Sequence, residues 1–428
     1  MFAKERAQVI SGQIRKYAME KTQKLTGWQV KNGCYIDVAE VDAATEPWRE
    51  FDNDKERWYG PDKHYWFRRN ITIPEDMDGK AVWLCVHTAL EDWDDGRNPQ
   101  FLVFVDDRVT QGLDINHREI LLTENAKAGT TYKIDMQSYT GTLHNEFRLV
   151  TELQVINPET MALYYDIRIP LESLNRLKEN DQPRLKFEEI LTETINLIDL
   201  RKPHSEQFYA SIKAASEYIG KHLYEDMTGY DDVIASCIGH THIDVAWLWT
   251  VDQVRQKSCR SFATVLKLME EFPDYHFMSS QPQLYKFVKE RHPEQYERIK
   301  QRVAEGRWEP EGGMWVEADC NLTSGESLVR QFMFGKRFFK EEFNKDNRIL
   351  WLPDVFGYSG ALPQIIKKSG IDYFMTTKLA WNQINKVPMD TFMWEGIDGT
   401  KVLTHLITTL GIPLIYKELS TILSQLRL

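Results

Sequence analysis

The segment Ile238-Gly239-His240-Thr241-His242-Ile243-Asp244-Val245-Ala246-Trp247 gathers ionisable groups directly behind an apolar run. In an extended chain, side chains two apart share a face, so His240, His242 and Asp244 would project the same way. An imidazole nitrogen and a carboxylate oxygen at that spacing suit a divalent cation such as zinc. An isolated H-x-D more often ends a buried strand with its histidines bonded to backbone, so both readings stay open at this point. A second carboxylate, Asp354, follows the apolar run Leu350-Trp351-Leu352-Pro353. Taken alone, an aspartate after a strand is most commonly a cap or turn residue. A third segment, Trp308 to Asn321, combines indoles and acids around the pair Gly312-Gly313. Contact with a polyhydroxylated ligand and a glycine turn with solvated carboxylates fit it about equally well.

These residues need a scaffold that brings distant positions together. After Asp231, short apolar strands alternate with amphipathic helices. Strands are expected at Val233-Ile238, Tyr275-Ser280, Trp308-Val316, Ile349-Leu352, Tyr373-Thr377 and Val402-Leu406. Helices are expected around Ser261-Glu271, Gln283-Val303, Glu326-Phe343 and Gln364-Ser369. Such alternation means parallel strands, in an open sheet or a barrel. Their C-terminal ends form one rim, where Asp244 and Asp354 would meet. No G-x-G-x-x-G or P-loop pattern occurs, which weakens a nucleotide-binding sheet. Upstream, the first two dozen residues pattern as an amphipathic helix with Ile10, Ile14 and Tyr17 on one stripe. From about Tyr65 to Tyr165 the pattern is of strands. Ala81-Val86 and Phe101-Val105 are apolar on both faces, and the many short strands suggest a β-sandwich. Leu171 to Tyr224 is expected to be a helical connector.

Several longer motifs now carry a resemblance. The H-x-D-x-x-W of His242, Asp244 and Trp247 is one, and W-L-P-D-x-F-G-Y-S around Asp354 is another. Thr377-Lys378-Leu379-Ala380-Trp381-Asn382, Gly306-Arg307-Trp308-Glu309 through Ser327, Trp394 to Gly399, and Tyr165 to Pro170 complete the set. In that order they resemble glycoside hydrolase family 38, the class II α-mannosidases, and among these the cytosolic and bacterial branch. The resemblance covers the chain to about Thr408. It implies zinc (or another divalent metal) held by His242, Asp244 and Asp354, with Asp354 also the nucleophile. It further implies that Trp247 packs on the sugar ring, that Lys378 assists substrate binding, and that the parallel strands belong to a β/α barrel. The reaction implied is retaining hydrolysis of terminal α-mannosides of oligosaccharides. By the same resemblance, a fourth metal ligand and the general acid/base lie downstream of residue 428, so the chain is expected to be C-terminally truncated. A non-catalytic fragment that binds only metal or carbohydrate is the alternative, and a metal-dependent deacetylase a third.

The expected architecture is therefore multidomain, β followed by α/β. Residues 1–170 would form an N-terminal helix and β-sandwich, 171–230 the connector, 231–409 an incomplete parallel β/α barrel, and 410–428 an atypical Leu-rich tail. Composition agrees with a soluble cytoplasmic enzyme of two or three domains. The chain has 428 residues, 42% of them hydrophobic, and roughly 150 residues per domain is usual. A formal charge of -11 gives no electrostatic footprint for nucleic acid or an anionic membrane. Thirteen Trp, 18 Tyr and 20 Phe suit either sugar stacking or a large sandwich core. Five scattered cysteines without a C-x-x-C argue against a disulfide framework or zinc knuckle. No apolar signal segment or membrane-length run is found, and the sequons at Asn70 and Asn321 fit chance occurrence. The acidic stretch Glu91-Asp92-Trp93-Asp94-Asp95 is expected to be a solvated loop. The partner is an α-mannoside oligosaccharide, without nucleic acid or membrane, and a homo-oligomer is allowed.

Overall fold

A computed structural model of the chain describes residues 3–90, 99–142, 144–175, 177–178, 181–227, 237–385 and 387–407. The acidic stretch at Glu91-Asp95, most of the expected strand at Val233-Ile238 and the tail 410–428 lie outside these residues.

Helix α1 (Ala3–Ala18) leads directly into β1 (Met19–Leu25) and β2 (Trp28–Asn32). After the short helix α2 (Val38–Ala43) come β3 (Arg49–Phe51), β4 (Trp58–Tyr59), β5 (His64–Thr72), β6 (Val82–His87) and β7 (Gln100–Val105). Then follow β8 (Arg108–Leu113), β9 (Glu119–Thr123), β10 (Thr131–Tyr139), β11 (Glu146–Phe147) and β12 (Val150–Ile156). Two larger antiparallel sheets result, ordered β1-β12-β6-β9 and β3-β2-β5-β10-β7-β8, and β4 pairs antiparallel with β11. Their inner faces share one core that includes Trp28, Phe67, Leu84, Phe101, Val103, Met136 and Leu153. The outer face of the six-stranded sheet carries Trp66, Leu102 and Phe104 beside the buried polar side chains of Lys31, Asp135 and Gln137. On β7, Phe101 and Val103 enter this core, while Leu102 and Phe104 point the opposite way into a second one. That explains why Phe101-Val105 carries no polar alternation. Strands thus begin at Met19, well before Tyr65, and end at Ile156 rather than near Tyr165.

The chain turns helical at Pro158. Asn157 caps α3 (Pro158–Ser173) by accepting the Thr160 N–H, and proline stands at the first turn, where its missing donor costs nothing. With α4 (Gln182–Leu197) and α5 (Glu206–Ile219), α3 buries Leu163, Ile167, Ile190, Ile195, Phe208 and Ile212. Ala7 and Ile14 of α1 enter the same core, so the first helix packs with these later helices.

The final part alternates as expected. Its order is β13 (Gly239–His240), α6 (Val251–Glu271), β14 (Phe277–Ser279), α7 (Pro282–Arg291), α8 (Pro293–Ala304) and β15 (Trp308–Pro310). There follow α9 (Gly325–Phe343), β16 (Ile349–Trp351), α10 (Leu362–Lys368), β17 (Tyr373–Thr376), β18 (Thr391–Glu395) and β19 (Lys401–Leu406). β13-β14-β15 form one parallel sheet and β16-β17-β19-β18 another. A parallel bridge from Gly312 to Leu350 links them. The strands do not close into a barrel among the described residues, and β18 pairs antiparallel with β19 instead of continuing the parallel series.

The outer face of the six-stranded sheet rests on this part. Trp66, Leu102, Phe104 and Val109 pack with Val254, Phe262, Ala263 and Leu266 of α6. Gly112 on β8 permits the approach, since a Cβ there would stand 2.6 Å from the Arg260 carbonyl oxygen. No described helix is long and apolar enough to cross a membrane.

Candidate active site

Strands β13, β15, β16 and β17 deliver their following residues to one rim. Short parallel strands pin the backbone, and the chain leaves each at its C-terminal end carrying an unpaired polar group. Extended pairing at β13 stops at His240, so His240, His242 and Asp244 do not simply alternate along one strand.

His240 turns to the protein. Its Nδ1 lies 3.1 Å from the Met278 carbonyl, and the Trp351 indole N–H donates to its Nε2 at 3.3 Å. Burial holds its pKa below the ordinary value, as suits a neutral, fully bonded ring. His242 instead faces the rim. Its Nε2 is 3.2 Å from Asp244 Oδ1 and 3.5 Å from Asp354 Oδ2. One ligand atom from each of His242, Asp244 and Asp354 can be chosen so that all lie within 4.8 Å of one another. Ligand atoms around a tetrahedral ion at 2.0–2.2 Å stand roughly 3.4 Å apart, so nitrogen and two carboxylate oxygens are already near coordination spacing. Burial alone would lower the pKa of His242. The carboxylates of Asp244 and Glu317 outweigh it and push the value up to about 10. A site that draws a proton so strongly has an excess of negative charge, which a divalent cation would also satisfy.

Asp354 has a second partner. The Lys378 ammonium forms an ion pair with its Oδ1, on a side chain 10% exposed. The same ammonium lies 3.7 Å from the Trp381 ring centroid and 4.6 Å from that of Phe356. Phe356 and Trp381 meet edge to face at 5.5 Å, and both are exposed. Trp247 is 63% exposed and stands perpendicular to Trp249. The structure thus brings His242, Asp244, Asp354 and Lys378 together and leaves the Trp247 ring open to solvent.

The Trp308–Asn321 segment divides its residues differently from a ligand-lined loop. Trp308 is buried and donates to Tyr285 Oη. Glu311 accepts backbone N–H groups of Gly312, Arg348 and Ile349, tying the loop to β16. Asp319 caps the turn at Asn321 and Leu322. Only Glu317 reaches the cluster, its Oε2 lying 2.7 Å from His242 Nδ1. Neither its number nor its neighbours in the sequence mark it out from the other acids there.

Residues 232–419 match the model described as Glycosyl hydrolases family 38 N-terminal domain. The chain therefore carries the N-terminal domain of a glycoside hydrolase family. Among curated relatives it is 35% identical over 370 residues to Alpha-mannosidase G of Dictyostelium discoideum, covering 81% of this chain and 32% of that one. It is 36% identical over 350 residues to Alpha-mannosidase 2C1 of Homo sapiens, covering 79% and 33%. To Alpha-mannosidase of Saccharomyces cerevisiae the identity is 36% over 275 residues, 61% of this chain and 25% of the relative. The chain thus spans about a third of the length of the first two relatives. A solved alpha-mannosidase from Enterococcus faecalis V583 aligns over 40% of this chain and 19% of its own, at 22% identity and a TM-score of 0.34.

Proposed function

We propose that this chain carries the zinc-assisted site of a retaining α-mannosidase acting on terminal α-mannosides of oligosaccharides, with residues 231–409 as the catalytic part of a β/α barrel. The observation that carries the reading is the convergence of His242, Asp244 and Asp354 from two separate strand ends. The donor set suits zinc, or another divalent metal, held by these three residues. When bound, zinc would supply a Lewis acid able to grip neighbouring hydroxyls of the sugar.

The protein's own groups supply the rest. Asp354, ion-paired with the Lys378 ammonium, attacks the anomeric carbon, and the bond to the leaving oxygen breaks as that oxygen takes a proton from water. Water then attacks the glycosyl ester and releases mannose with retained configuration. Trp247, Phe356 and Trp381 offer flat apolar faces for the ring. A cavity of about 410 Å³ beside His242, lined also by Trp249, Lys257 and Arg260, gives room for more of the glycan. Five free cysteines fit a reducing, cytoplasmic setting.

A second reading, binding without turnover, is favoured by how the nearby acids are used. Retaining hydrolysis needs a second carboxyl about 5–5.5 Å from the nucleophile to protonate the leaving group. Asp244 and Glu317 are both engaged with His242.

One experiment separates the readings: incubation with a fluorinated, activated α-mannoside followed by peptide mass spectrometry. Labelling at Asp354, lost in Asp354→Asn, supports the nucleophile. Zinc binding without any label supports the second reading, and neither label nor zinc binding would sink both.

A further inference from the structure

The loop after β15 delivers a buried carboxylate behind the metal-type cluster. We infer that Glu317 is the positioning residue that orients His242 toward the cation, an inference that rests on the metal reading above.

The Glu317 side chain is only 4% exposed. A carboxylate so placed is costly unless its oxygens are engaged. Oε1 accepts the Ser280 hydroxyl at 2.6 Å. Oε2 lies 2.7 Å from His242 Nδ1, and neither atom has any other partner. The two atoms face each other across this short ion-pair contact. With the proton on Nδ1 and directed to Glu317, the Nε2 lone pair points at Asp244 and Asp354.

The surrounding chain is arranged to hold this geometry. Gln281 Oε1 accepts the Glu317 N–H at 3.2 Å, and Gln281 Nε2 donates to the Ile243 carbonyl at 3.0 Å. One amide therefore ties the loop bearing Glu317 to the segment bearing His242. Gln281 adopts φ 63, uncommon outside glycine. Gly312, at φ 147, lets the backbone press on Ser280, where a Cβ would come within 2.6 Å of the serine Cβ. His240 marks the contrast, since both its ring nitrogens already have partners. Glu317 is poorly placed to protonate a leaving group itself, being buried and set on the far nitrogen of His242.

The test uses the whole 428-residue chain, titrated with zinc by calorimetry and with cobalt(II) by visible absorption. Glu317→Gln keeps the shape and removes the charge. It should weaken zinc by about 10–100-fold and shift the cobalt bands. Ser280→Ala should weaken zinc less, in the same direction. If wild-type chain binds zinc and Glu317→Gln binds equally tightly with the same cobalt spectrum, the positioning role is overturned while the metal reading stands. If wild-type chain binds no zinc, the metal reading falls and this inference with it. Should Glu317→Gln not fold, Ser280→Ala decides, an unchanged affinity and spectrum overturning the role.

Discussion

Lys378 places a fixed positive charge where a bound cation would feel it. Its ammonium already neutralises one oxygen of Asp354 and rests on two aromatic faces. A divalent ion on the other oxygen brings a second positive charge within a few ångströms, in a partly buried setting where water screens poorly. Lys378→Met should therefore bind zinc more tightly than wild type, by about tenfold, or about 1.4 kcal/mol. Competition against a chelating dye reads the change directly, and equal or weaker binding would show that the lysine does not oppose the ion. The same variant should label more slowly with an activated mannoside, because Asp354 loses the ion-pair partner that holds its carboxylate in place. At this scale the sequence says much about His242, Asp244 and Asp354. Each follows an apolar strand, and that position alone implies a shared rim. It says little about Glu317. Glu311, Glu317 and Asp319 look alike in the sequence, and only the folded loop shows one tying backbone, one facing an imidazole and one capping a turn.

Elements hold the rim by close backbone approach. Gly335 lies within α9, where glycine normally weakens a helix and alanine restores about 1 kcal/mol. Here the sign reverses. A Cβ would stand 2.4 Å from the Gly313 carbonyl oxygen and 2.6 Å from the Met314 carbonyl carbon, so α9 would be pushed off the loop that leads to Glu317. Gly335→Ala should cost about 1–3 kcal/mol, the usual range for overpacking, and the urea midpoint should fall. An unchanged or raised midpoint would mean that the loop yields freely. Two helix starts come earlier than expected from the sequence, α6 at Val251 rather than Ser261 and α3 at Pro158 rather than Leu171. Their starts, and that of α9, are capped: Asn157 before Pro158, Thr250 before α6 and Ser324 before α9 each accept the backbone N–H three residues on. The strand pattern expected to Tyr165 and the connector expected from Leu171 both miss the start of α3 at Pro158, because the residues that follow it are as apolar as a strand. β18 escaped because it is an exposed edge strand. Its alternation is shallow, and its partner is the strand just after it, through a turn at Gly396–Thr400.

At the scale of the molecule, one buried histidine links the two halves to pH. His292 stands between α7 and α8, and its ring meets Phe104 of the sheet at 6.0 Å. Burial pushes its pKa down to about 4. The unfolded chain binds a proton near 6.5, while the native chain resists until about 4. Stability from this group is thus complete above about pH 6.5 and is lost as pH falls toward 4, by at most about 3 kcal/mol. Melting temperatures across that window should drop less steeply for His292→Leu than for wild type, and parallel curves would exclude the histidine. The alternation of strands and helices was legible at this scale because parallel pairing separates short strands by helices. How the sheet meets α6 was not, because Leu102 and Phe104 signal burial without naming their partner.

That meeting has a practical consequence. Trp66, Leu102 and Phe104 on one side, and Val254, Phe262 and Leu266 on the other, form a continuous apolar layer. Two polypeptides spanning 1–227 and 228–428, expressed apart, would each expose its own side of this layer. Mixed in equal amounts, they should complement one another into a single particle on a sizing column. The chain would then serve as a split pair, its assembly readable by any reporter fused at the cut.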